Sequence, residues 1–554
     1  MIGVFADSKD EEIVREFFEL FKTPWEIYQR DRWYEVLLCA GDTPPDASAQ
    51  LVLVYAGRQT QFDDRYGIET GCQRTQCRIL SFQDHRIPIY GASTSFPECG
   101  NGLLIDADSQ QYVTYLDRSG QRRFARIGYD LFDEIRTLLE KGQPPVYAGM
   151  PALELHIAVL RELVIGCGVR LTEIPPVPDG YRFIACLTHD VDHPSIRQHT
   201  WDHTLFGFLY RAIFTSSLNC MRGRMPVRRL LMNWMAVLKL PFVYLGLAKD
   251  FWRDFDDRYL ALEHGLPSTF FVIPFDNRPG VHADRKVSFI RAARYAARDL
   301  ADTLQKLLDA GCEVALHGID AWLDEARGRE ELEEIRSLTK SEKIGVRMHW
   351  LYYAQPSPTV LERAGALYDS TIGYNETVGY HAGTTQVYKP VGVTRLLELP
   401  LHVMDTALFY PGHLGLSSPQ ATALLNRMVD TAVQFGGCFT INWHDRSTAP
   451  ERLWGDCYRD LLAKLKREGA WFATAGDAVA WFRKRRSVAF ETDLRGLITV
   501  RADSATDGDT HTPDVRLRTF RPQESDDRGF YDTHYSDAAL TDASKTPPLR
   551  AEAC

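Results

Sequence analysis

The stretch Ile184-Ala-Cys-Leu-Thr-His-Asp-Val-Asp-His-Pro194 ends an apolar run in two carboxylates and two imidazoles. Such a run reads as a buried strand with its chemistry at the exit. Strand side chains alternate faces, so Asp190 and Asp192 share one face while His189 and His193 take the other. Two like charges on one face repel unless something positive lies between them. A divalent metal would serve, with one carboxylate as ligand and the other free as a base. The alternative, for this stretch alone, is a solvated loop turning into Pro194.

Three later apolar runs end the same way. Val314, Ala315 and Leu316 lead to His317, residues 344–348 lead through Arg347 to His349, and residues 438–441 lead to His444. Residues 268–273 form a further strand pattern, and residues 299–310, 330–337, 360–366 and 456–466 have helical periodicity. Strand–helix alternation predicts a parallel sheet with helices outside, and the number of units predicts closure into a barrel. Functional groups of such folds belong at the C-terminal strand ends. Asp190, Asp192, His317, Arg347, His349 and His444 all fall there.

A zinc hydrolase needs three protein ligands with one position open for water, an orienting shell, a base and an acid. The order of these motifs resembles the polysaccharide deacetylase superfamily, carbohydrate esterase family 4, across roughly residues 180–485. Thr188-His-Asp-Val-Asp192 is similar to its first motif and Glu313-Val-Ala-Leu-His-Gly318 to its second. Gly345-Val-Arg-Met-His349 stands where the arginine-bearing motif falls, and Ile441-Asn-Trp-His444 is similar to the last. The resemblance implies a distorted (β/α) barrel, with Asp190 as catalytic base and Asp192 and His317 as ligands of Zn2+ or another divalent transition metal. It further implies Arg347 as the partner of the base and His444 as the acid that protonates the leaving group. The implied reaction is hydrolysis of an N-acyl, chiefly N-acetyl, group on a carbohydrate or glycoconjugate.

The sequence departs from the family pattern twice. Val191 separates aspartates that many members have adjacent, which same-face geometry accommodates. The second-motif histidine expected four residues after His317 is replaced by Ala321. A third ligand must then come from elsewhere, and His349 is the choice, because in an extended strand it shares a face with Arg347. Asp320 is the rival, and His381, in a Gly-bounded loop that would shape the substrate pocket, is a third candidate.

The 554 residues are too many for one core, and their composition (45% hydrophobic, 25% charged, 11% aromatic) is that of a soluble globular protein. Net charge is −10 with no basic block long enough to follow a nucleic-acid backbone, so nucleic acid is excluded as the default partner. Eleven scattered cysteines without zinc-ribbon spacing, and a start lacking a basic head and apolar stretch, lead us to expect a reducing cytoplasm. Residues 1–150 read as an α/β accessory domain, with helices over 13–21 and 129–139 and strands over 35–39 and 51–55. Residues 151–179 read as a linker and helix, 486–523 as a small β appendage and 524–554 as a disordered tail. Residues 200–250 form an insertion rich in aromatic and basic residues, read as helices covering a barrel end. Peripheral membrane contact through 228–247 is the alternative, since Asn233, Lys239 and Pro241 interrupt any span. Two further functions stay open: an amidase or deformylase on a non-polymeric substrate, and a non-catalytic sugar-binding or membrane-associated scaffold.

Overall fold

The computed structural model describes residues 1–554 except 42–44, 46–48, 98, 100–101, 118–122, 224, 283, 285, 493–497, 503–511, 523–534 and 541–554. The chain forms two compact units, one of residues 1–180, 380–391 and 480–554, the other of 181–379 and 392–479.

The second unit is built on seven strands, β1 (Phe183–Val191), β2 (Thr269–Val272), β3 (Glu313–Gly318), β4 (Val346–Met348), β5 (Val403–Met404), β6 (Cys438–Asn442) and β7 (Ala470–Ala473). Their order is β4-β3-β2-β1-β6-β5, with β7 also on β1, and every pairing is parallel. Central β1 is buried along its whole length, as a parallel strand covered on both faces must be, which explains its near-continuous apolar run. Helices Ala301–Asp309, Glu325–Thr339, Ser418–Phe435 and Gly455–Arg467 occupy the connections. The strand–helix pattern is as expected, and the sheet has the form of a distorted (β/α) barrel. Its regular ladder is a curled half-barrel from β4 to β5, and single parallel bridges, Val346 to Asp369 and Asp369 to Glu398, link those two strands on the irregular side.

The first unit has a six-stranded sheet, ordered Trp25–Ile27, Ile2–Phe5, Tyr34–Ala40, Ala49–Tyr55, Arg123–Ile127, Thr114–Asp117, parallel except for the last pair. Helices Glu11–Leu20 and Leu131–Glu140 lie where the sequence pattern put them. Two boundaries differ from expectation. The helix Ala152–Gly166, read as a connector, is core of this unit: 12 of its 15 residues are buried, Glu154 and His156 among them. Residues 380–391, read as part of the barrel, also belong here, because Tyr380 N–H donates to the Ala148 carbonyl (2.8 Å) and Gln143 N–H to that of His381 (2.8 Å).

The appendage at 486–523 is a hairpin, Val488–Thr492 with Ile498–Ala502, followed by Arg516–Phe520. That last strand joins Leu171–Glu173 and Tyr535–Ala539 in an antiparallel sheet, so the 524–554 segment contributes a strand and its remainder lies outside the described residues. Among the described residues no helix is long and apolar enough to cross a membrane.

One glycine fixes how closely β4 approaches its neighbour. A Cβ on Gly345 would lie 1.9 Å from Tyr368 Cζ, and that buried ring cannot retreat while its hydroxyl donates to Glu313 (3.0 Å). Gly345→Ala is therefore expected to destabilise the protein by about 1–3 kcal/mol through overpacking. Thermal unfolding checks this, and an unchanged midpoint would mean that the ring is not wedged there.

Candidate functional site

The two carboxylates that end β1 meet opposite surroundings. Asp190 is held on both oxygens: Arg347 Nη1 donates to Oδ1 (3.0 Å) and Asn442 Nδ2 to Oδ2 (2.7 Å). Strand register brings these groups together, since Thr188 lies opposite Asn442 and His317 opposite Arg347. Asn442 Oδ1 also accepts the Asp190 backbone N–H (3.1 Å), which fixes the carboxylate's base as well as its tip. Arg347 is wholly buried, and its remaining donors reach Thr188 Oγ1 (2.7 Å), Ser370 O (3.0 Å) and Ser370 Oγ (2.9 Å) above the Phe271 ring. A buried guanidinium satisfied in this way is a fixed charge, and removing either partner of such a pair costs about 3–5 kcal/mol.

Asp192 faces imidazoles instead. Its Oδ1 lies 3.4 Å from His317 Nε2 and 3.6 Å from His349 Nε2, and its Oδ2 lies 3.7 Å from His444 Nε2. Burial opposes ionisation of Asp192, but the imidazoles of His349, His317 and His444 outweigh it and hold the carboxyl well below the usual carboxylate range. Burial drives His349 the other way, far below the ordinary histidine value. His317 Nδ1 lies 3.0 Å from the Arg347 carbonyl, which makes Nδ1 the donor and leaves Nε2 the acceptor.

Asp192, His317 and His349 thus present three ligand atoms within 4.8 Å of one another. Tetrahedral bonds of the zinc kind set neighbouring donors about 3.3 Å apart. The separations of 3.4 and 3.6 Å from Asp192 Oδ1 fit, and that oxygen is buried with no hydrogen-bond donor, as a ligand atom would be. Asp320 is engaged elsewhere: Oδ1 accepts from Val281 N–H (2.9 Å) and Oδ2 pairs with Arg327 (2.7 Å). His381 lies in the first unit and is not part of the cluster.

His349 does not arrive as strand geometry suggested. Strand β4 stops at Met348, and His349 opens a tight turn in which Trp350 (φ 63°) and Leu351 (φ 53°) adopt left-handed backbone. Non-glycine residues rarely do so, and the turn must be held from outside. Buried Arg291 holds it, donating through Nη2 to the carbonyls of His349 (2.8 Å) and Ile319 (3.0 Å) and so tying the His349 turn to the loop that follows His317.

His444, just beyond β6, is fixed by a residue the sequence reading did not single out. Asp405 Oδ1 lies 2.6 Å from Nδ1, and Asp405 Oδ2 accepts the His444 backbone N–H (2.8 Å). Burial disfavours the charged ring, yet Asp405, with help from Asp192 and Asp190, raises its pKa to about 10. His189 and His193 point away from the carboxylates, as expected. His189 is absorbed by Glu263 (2.8 Å) and the Trp443 carbonyl (2.8 Å), and His193 Nδ1 lies 3.2 Å from His199 Nε2.

Solved structures similar to this chain include a probable polysaccharide deacetylase from Pseudomonas aeruginosa PAO1, 15% identical over 55% of this chain and 92% of that one, with TM-score 0.35. Puue allantoinase is 16% identical over 56% and 93%, with TM-score 0.31. Agd3, a carbohydrate deacetylase, is 9% identical over 94% and 91%, with TM-score 0.34. No protein-family model and no curated protein matches the chain.

In the metal-free protein His444 should keep its proton to about pH 10. Asp405→Asn removes the charge that holds it, so the transition should move down by about one pH unit or more. Histidine NMR titration reads this directly, and an unmoved transition would separate Asp405 from the protonation of His444.

Proposed function

We propose that the protein is a metal-dependent hydrolase that removes an N-acyl group, chiefly N-acetyl, from a carbohydrate or glycoconjugate. The observation that carries the reading is the division of the β1 carboxylates. Asp190 is fixed by Arg347 and Asn442, whereas Asp192 stands with His317 and His349 as a three-donor set. The order of the four sequence motifs supports an acylated sugar as the substrate.

Asp192, His317 and His349 would hold the ion, and a divalent transition metal such as zinc supplies Lewis acidity that makes water a nucleophile at neutral pH. Asp190 accepts the proton of the attacking water at Oδ2, the oxygen that lies 3.9 Å from His317 Nε2. Arg347 and Asn442 keep that carboxylate aimed, so no reorientation is needed as the bond forms. Water oxygen bonds to the acyl carbon, the C–N bond breaks, and His444 donates its Nε2 proton to the departing nitrogen. Asp405 on the far side of the ring keeps the imidazole in the protonated orientation this requires. The products are a carboxylic acid, acetate for an N-acetyl group, and a free amino sugar.

Acetate release from a panel of N-acetylated amino sugars and their oligomers tests the reading. Release should stop on chelation and return with added zinc or another divalent transition metal, and no release from any member, with metal bound, would overturn it.

His349→Ala should weaken metal binding by more than about tenfold and abolish activity with it, whereas Asp320→Ala should keep the metal. Equilibrium dialysis with metal analysis distinguishes them, and equal loss in both variants would remove the preference for His349. Asp190→Asn should retain the metal and lose about 10²–10⁴ in rate. His444→Ala should slow cleavage of an amide far more than that of an activated ester, whose leaving group needs no proton. Equal loss on both substrates would argue for a binding role instead.

A further inference from the structure

The helix Val227–Tyr244 has its polarity inverted. Asn233, Ala236, Leu240 and Val243 form its buried stripe, yet the opposite side carries exposed Leu231, Trp234, Met235, Leu238 and Phe242 rather than charges. The segment before it behaves alike, with Trp201 83% and Phe214 66% exposed. A helix apolar on both faces has a second apolar environment to meet, and an exposed patch of this extent marks an interaction surface.

Charge says which environment. Residues 203–249 contain Arg211, Arg222, Arg224, Arg228, Arg229, Lys239 and Lys249 and no aspartate or glutamate, in a chain whose net charge is −10. Exposed Arg222, Arg228 and Lys239 therefore flank the apolar side, and the one acidic residue of 201–247, Asp202, is engaged by His199 and by the backbone N–H groups of Thr204 and Leu205. Tryptophan and tyrosine among apolar side chains, rimmed by basic residues, suit the headgroup boundary of an anionic bilayer. A second copy of this chain fits poorly, because an isologous contact would set this basic face against itself. No helix of the described residues is long and apolar enough to span, so contact would be in the plane of the interface.

We propose that the 201–247 segment docks the protein onto anionic lipid surfaces. Its buried side places it at the end of the sheet where the candidate site lies. Leu205, Phe208, Ala236, Leu240 and Val243 pack in one cluster with Ala449, five residues beyond His444, and Tyr244 Oη donates to the Ile196 carbonyl (3.1 Å), four residues beyond Asp192. Docking would bring that end of the sheet to the membrane, where an acylated glycoconjugate carried on lipid is presented. This last step rests on the hydrolytic reading, whereas docking does not.

The test is co-sedimentation of the full chain with phosphatidylcholine vesicles containing about one-third phosphatidylglycerol, compared with phosphatidylcholine alone. The protein should bind the anionic vesicles, less so the neutral ones, and progressively less as salt rises. A combined Trp234→Glu, Leu238→Glu, Phe242→Glu variant should lose at least about tenfold in binding with an unchanged unfolding midpoint. Quenching of wild-type tryptophan fluorescence by bromine-labelled lipid gives a readout that needs no variant. Absence of wild-type binding, equal binding by the variant, or a dimer that the three substitutions dissolve would each overturn the proposal. Binding is read without turnover, so a failure here is separable from a failure of the hydrolytic reading.

Discussion

Two carboxylates two residues apart on one strand face cannot share a buried site unless their charges are answered separately. Asp190 is answered by a guanidinium and an amide, and Asp192 by imidazoles. Nearly every other feature of the site follows from keeping those answers distinct. Arg347 must be buried and saturated by Ser370 and Thr188 so that it faces Asp190 and not Asp192. His317 must use Nδ1 on a backbone carbonyl so that Nε2 remains an acceptor. His444, which reaches toward the same Asp192, is kept protonated by Asp405.

The parallel sheet makes this division geometrically cheap. Its strands deliver side chains to one end, and register alone sets Thr188 beside Asn442 and His317 beside Arg347. Where register gives out, polar cross-links take over. The left-handed turn at Trp350 and Leu351 brings His349 to Asp192, and Arg291 holds that turn to the loop after His317. Left-handed backbone at non-glycine residues costs roughly 1–3 kcal/mol each, and it lies beside a candidate ligand, where such strain tends to be kept.

Sequence pattern carried the strand exits well, because a buried parallel strand must be apolar and an abrupt polar ending is conspicuous. Asp190, Asp192, His317, Arg347 and His444 were legible for that reason. Asp405 was not: it follows a strand of only two residues, Val403–Met404, too short to leave a periodic signal. Asn442 lay inside a recognised motif, two residues before His444, but an amide does not titrate and drew no role. His349 was chosen on extended geometry, yet it reaches the cluster through a turn whose support, Arg291, is 58 residues away in sequence. The irregular side of the barrel left no pattern in the sequence, because Asp369 and Glu398 join it through isolated bridges and not through regular strands. The helix Ala152–Gly166 reads equally as connector or core from its sequence, and only packing places it in the first unit.

The most direct measurement is a crystal structure of the zinc-loaded protein with anomalous data collected at the metal edge. The expected result is one strong peak bonded to Asp192, His317 and His349 at about 2.0–2.2 Å, with Asp190 outside bonding distance and still paired with Arg347. A peak bound by Asp190 or Asp320, or His349 more than about 4 Å from the ion, would contradict the division of roles on which the site is built.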